Sequence, residues 1–134
     1  MIGLDTNLLL RLGDDRDPAQ KARASALVRA QGQGGSYVNP IVLSEFAWTL
    51  KSRYKLTREH IATRIAIVLE APEFVIAEAA EAARALERYR VGPTDFADYF
   101  LAEMNCSAGC ASTATFDIAA LKSGEPFSAV PVLT

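Results

Sequence analysis

The chain has 134 residues, half of them apolar and 22% charged, which suits one ordinary domain with its own core and excludes a disordered chain. Fourteen basic against sixteen acidic residues leave a formal charge of −2, which excludes a strongly basic, arginine-rich nucleic-acid binder but not a local basic face. No apolar run approaches the roughly 18 residues of a membrane span, and the start Met1-Ile2-Gly3-Leu4-Asp5 lacks the pattern of a secretory signal, so a cytoplasmic protein without membrane contact is expected. With two cysteines, Cys106 and Cys110, and one histidine, His60, a zinc site is not expected.

Met1 to Leu4 reads as a short buried strand ending in the polar turn Asp5-Thr6-Asn7, followed by a brief helix from Leu8 that Gly13 ends. Asp17-Pro18 and Asn39-Pro40 are cap-plus-proline helix starts. Between them Tyr37-Val38 is a minimal strand. Val42, Leu43, Phe46, Ala47, Leu50 and Tyr54 then recur at helical spacing. A further helix opens at Leu56-Thr57 and breaks at Pro72, and Phe74 to Ile76 forms a third strand. Glu78 to Arg90 is an Ala-rich helix, and Thr94 or Asp95 caps another running to about Ser107. Ala114 to Phe116 is a fourth strand and Val130 to Leu133 an expected fifth, at an edge where Pro131 is tolerated. Short apolar strands alternating with longer helices give the α/β class with a parallel sheet.

The informative residues are carboxylates in apolar company: Asp5 after the first strand, Glu45 within Ile41 to Trp48, Asp98 within Phe96 to Ala102, and Asp117 after the fourth strand. An isolated buried carboxylate is costly unless a cation is near. Asp5 and Asp117 fall at strand carboxyl ends, the reactive edge of open parallel sheets, and Asp95 and Asp98 share one helix face. A set of acids without histidine or cysteine suits a hard ion, Mg²⁺ or Mn²⁺. Plainer roles exist for each: turn or cap chemistry for Asp5, Asp95 and Asp117, the helix dipole for Asp98, an exposed helix stripe for Glu45.

Leu4-Asp5-Thr6-Asn7, Ser44-Glu45, the helix from Asp95 to Ala102 with Asp98 as third acid, and Thr115-Phe116-Asp117 resemble, in order and spacing, the four acidic motifs of the PIN-domain ribonucleases, specifically the VapC toxins of type II toxin–antitoxin pairs. The resemblance covers essentially the whole chain. It implies a single PIN domain over residues 1–134, with a three-layer α/β fold and a short parallel central sheet of about five strands. It further implies an endoribonuclease that leaves a 5′-phosphate and a 3′-hydroxyl, a VapB-like antitoxin as partner, and a homodimer. In that reading Asp5 and Asp98 are the main ligands of Mg²⁺ or Mn²⁺, with Asp117 direct or through water. Glu45 holds or deprotonates the attacking water, Thr6 and Thr115 orient carboxylates, and Asp95 is an additional candidate. The chain departs from the pattern after Asp117, where Ile118-Ala119-Ala120 stands in place of an expected basic residue and Lys122 comes later.

Lys51, Arg53, Lys55 and Arg58 fall within eight residues with no acid among them, which suits guidance of an RNA strand or, equally, a solvated helix end. Trp48 and Tyr54 read as core or dimer-face aromatics rather than base-stacking platforms, and the cysteines as small buried residues. Two other function classes are open. A haloacid-dehalogenase-like phosphatase needs a second Asp where Asn7 stands. A non-catalytic PIN scaffold binding RNA or protein would show loss of an acid, and none is lost. A dinucleotide-binding enzyme is disfavoured, since no Gly-x-Gly-x-x-Gly follows the first strand.

Overall fold

Polar caps set most of the helix starts. In the computed structural model, which describes residues 1–133, Asp5, Asp17, Asn39, Thr57 and Asp117 each accept a hydrogen bond from a backbone N–H in the first turn of the helix that follows. Proline occupies the first helical position after Asp17 and Asn39. The order is β1 (Ile2–Gly3), α1 (Thr6–Arg11), α2 (Pro18–Gln31), β2 (Ser36–Val38), α3 (Pro40–Ser52), α4 (Arg58–Glu70), β3 (Phe74–Ile76), α5 (Ala79–Val91), α6 (Phe96–Ser107), β4 (Thr113–Thr115), α7 (Ile118–Lys122) and β5 (Phe127–Ala129). The class is α/β, as the alternation of elements requires.

The chain divides into two compact units, Met1–Ala79 and Ala80–Thr134. In the first unit β1, β2 and β3 form a parallel three-stranded sheet in that order, with Tyr37 opposite both Gly3 and Val75. Its core gathers Leu9 and Leu10 of α1, Val38 of β2, Leu43, Phe46 and Leu50 of α3, and Ile61 and Ile65 of α4, all buried. The α3 helix packs on both α1 and α4.

In the second unit β4 and β5 pair in parallel, Ala114 opposite Ser128, joined through α7. Tyr89, Phe96, Tyr99, Phe100 and Phe127 form its aromatic core, with ring pairs 5.5 to 6.2 Å apart. Glu103 on α6 is 8% exposed and answers two cations of α5, Arg84 at 3.0 Å and Arg88 at 3.1 Å. Gly92 leaves the space that the Tyr99 hydroxyl fills; that hydroxyl lies 2.7 Å from Ser123 Oγ.

Among the described residues all five strands are parallel-paired, as a set of three and a set of two. The last strand differs from the expected one: it is Phe127–Ala129, and residues 130–133 are irregular. Burial decides this. Phe127 is buried, whereas Val132 and Leu133 are almost fully exposed, so the apolar run at the end has no core to face. Cys106 and Cys110 are exposed rather than buried, because they lie at and beyond the end of α6. Among the described residues no helix is long and apolar enough to cross a membrane.

Candidate active site

The first unit carries two of the four acids. Asp5 stands two residues beyond β1 and caps α1, its Oδ1 accepting from Leu8 N–H at 2.9 Å. The cap uses one of two carboxylate oxygens and leaves further lone pairs for a ligand. Thr6 is the first residue of α1 and half-buried. Glu45 sits midway along α3, between the buried Leu43 and Phe46, yet is itself exposed. Its apolar neighbours in sequence turn inward while it turns out, so the apolar company along the chain is not company in space.

A four-residue polar cluster holds the loop after α1 to the segment after α3. Asp14 is 4% exposed and is gripped by the Arg16 guanidinium through Nε and Nη2, both at 3.0 Å. Arg11 Nη1 reaches it at 3.0 Å, and the Tyr54 hydroxyl donates to it at 2.7 Å. These hydrogen bonds, that of Arg16 foremost and that of Tyr54 next, hold the Asp14 carboxyl well below the usual carboxylate range. The Arg16 guanidinium also lies 4.3 Å from the centre of the Tyr54 ring. The cluster fixes the exit of α1 against the exit of α3, the two helices that Asp5 caps and Glu45 rides.

The second unit carries the other two. Asp98 lies in the first turn of α6, half-buried, and its Oδ2 accepts a 2.7 Å hydrogen bond from the Thr94 hydroxyl. Thr94 is 3% exposed and holds the donor end of this part-buried bond in place. Asp95 takes the N-cap position without a side-chain capping bond and is also half-buried. Asp117 stands two residues beyond β4 and caps α7, Oδ1 accepting from Ala120 N–H at 2.8 Å. Thr115 contributes differently from the expectation: its hydroxyl accepts the Asp117 backbone N–H at 2.9 Å, fixing the main chain rather than donating to the carboxylate.

Sequence reasoning missed Thr94 as a carboxylate partner. The signal was there, a threonine four residues before an acid at a helix start, but it reads equally as a plain cap. The four candidate cations lie along the chain at the end of α3 and the start of α4. Lys51 is in the last turn of α3, Arg53 is its C-cap, Lys55 follows, and Arg58 opens α4. Trp48 is 56% exposed and so is not a core residue.

Asp5, Asp98 and Asp117 offer only hard oxygen donors, the chemistry that Mg²⁺ or Mn²⁺ prefers. Among the described residues no three His, Cys, Asp or Glu side chains are gathered into a ready-made metal cage. Mg²⁺ does not demand one: it keeps several waters and is usually held by one or two carboxylates together with substrate phosphate oxygens.

A family model described as PIN domain matches residues 2–121, a stretch that contains Asp5, Glu45, Asp98 and Asp117. No curated protein matches the chain.

Proposed function

The chain belongs to the PIN domain family, typically metal-dependent nucleases, and from that premise we propose that it is an Mg²⁺- or Mn²⁺-dependent endoribonuclease, the toxin of a VapBC-type pair, with residues 1–134 acting as one PIN domain. One observation carries this reading: the family match runs through both compact units and takes in all four acids. Asp5 and Asp98 are the proposed main ligands of the ion, with Asp117 direct or through water. When bound, such an ion supplies Lewis acidity toward the scissile phosphate and the attacking water.

The chain's own residues do the rest. Glu45, exposed on α3, takes the proton of the attacking water as general base. Thr94 occupies Oδ2 of Asp98 and so limits how that carboxylate can turn. The capping bonds of Asp5 and Asp117 restrain their carboxylates in the same way. Lys51, Arg53, Lys55 and Arg58 supply positive charge for the RNA backbone. The proposed partners are a VapB-like antitoxin and a second copy of the chain. An antitoxin arginine is the side chain best suited to an all-carboxylate site, because its planar fork pairs with carboxylates bidentately.

Incubation of the purified protein with RNA, with Mg²⁺ or with EDTA, tests the activity. Internal cuts that need the ion and leave 5′-phosphate and 3′-hydroxyl ends support the reading. Metal-independent cutting, or release of phosphate from small phosphomonoesters without RNA cleavage, contradicts it.

A further inference from the structure

The outward face of α3 carries a feature that the acids do not account for. Glu45 and Trp48 are three residues apart and both exposed, so they are neighbours on one helix face, roughly 5 to 6 Å apart at Cβ. The indole is 56% exposed, so a face of its ring is open to a ligand. Lys51 Nζ lies 5.6 Å from the centre of the ring, and along the chain from Phe46 to Arg58 there are four cations and no acid. A flat aromatic face beside a run of Lys and Arg is the combination that binds single-stranded nucleic acid, bases on the ring and phosphates on the cations. A second copy of the chain fits less well, because it would bring the same four cations to the seam.

We propose that Trp48 is a base-stacking platform that seats one unpaired base of a single-stranded RNA one helical turn from Glu45, with Lys51, Arg53, Lys55 and Arg58 holding the adjoining phosphates. The identity of the strand rests on the ribonuclease reading. The platform selects unpaired RNA, since a base inside a duplex presents no free face to the indole. It makes Trp48 a positioning residue: the stacked base fixes which phosphate lies beside Glu45.

Trp48 is the only tryptophan of the chain, so its emission reports on this face alone. The test is a fluorescence titration of the full chain in EDTA with a 5′-labelled single-stranded RNA of about 12 nucleotides and with the same sequence as a duplex, label anisotropy giving the affinity. The single strand should quench the tryptophan saturably, and the duplex should do so far less. Trp48→Ala should weaken binding about tenfold, with Trp48→Phe retaining most of it. Replacing Lys51 and Arg53 by Ala should each lower the salt slope of binding by about 0.7. Unchanged emission at saturating RNA, equal affinity of Trp48→Ala, or an emission change that follows self-association of the protein instead of RNA overturns the proposal. Quenching without any metal-dependent cleavage would sink the ribonuclease reading and leave the platform standing; cleavage without quenching would do the reverse.

Discussion

The Thr94 hydroxyl donates a 2.7 Å hydrogen bond to Oδ2 of Asp98, four residues further along the chain and inside the first turn of α6. Thr94 is almost fully buried, so the donor is held in place and the bond orients the half-buried carboxylate before any ligand arrives. Thr94→Val keeps the shape and removes the donor. Cleavage should fall about tenfold or more, with a higher Mg²⁺ requirement, while Thr94→Ser stays near wild type. A Mg²⁺ titration of the cleavage rate for the three proteins reads this directly. Equal rates for Thr94→Val and wild type would make the bond purely structural.

Glu45 is exposed and has no cap to make, so its substitution separates chemistry from folding more cleanly than that of any other acid here. Glu45→Gln keeps the side-chain length and abolishes its basicity. The cleavage rate should drop by about 10²-fold or more, with the Mg²⁺ requirement only modestly changed. A shift in Mg²⁺ requirement as large as that of Asp98→Asn would instead place Glu45 among the ligands.

The Asp14 cluster sets a dependence of stability on acid. Its carboxyl is held low in the native state by Arg16 and Tyr54, whereas in the unfolded chain it titrates at the ordinary value of about 4. The native state therefore binds a proton less readily than the unfolded one. The stabilisation is fully present above the unfolded value and is lost as the pH falls from there toward the native value. Tyr54→Phe removes one of the bonds that depress it. At pH 6 the variant should be less stable than wild type, and at pH 3, where the native Asp14 is still ionised, the gap should be nearly unchanged, closing only as the pH falls further toward the native value. Urea unfolding midpoints at the two pH values measure it; a gap that widens on acidification would contradict the role given to Tyr54.

Cap chemistry made the fold legible. Asp17-Pro18 and Asn39-Pro40 start helices where they should, and Phe74 to Ile76 is a strand as read. Asp5 and Asp117 do lie just past strand ends, but each also caps a helix, so the plainer role and the site role coexist in one side chain. The final strand was misplaced because an apolar run at the chain end looks like a strand until burial is known, and Phe127 had the better core to join. Exposure was the other illegible quantity. Apolar neighbours in sequence say nothing about which way Glu45 or Trp48 points, since helical periodicity sends adjacent residues to different faces. The Asp14–Tyr54 bond spans 40 residues and leaves no local pattern to read.

The central proposal is that Asp5 and Asp98 are both needed for one metal-dependent cleavage reaction. Asp5→Asn and Asp98→Asn suit its test, because Asn caps a helix as well as Asp does and the Asp5 change therefore spares α1. The measurement is the RNA cleavage rate in saturating Mg²⁺ for each single variant and for the double. Groups that act as one unit give strongly non-additive losses. Each single change should cost about 10²-fold or more, and the double should be no worse than the poorer single. Losses that multiply in the double variant, or full activity in either single, would contradict the account.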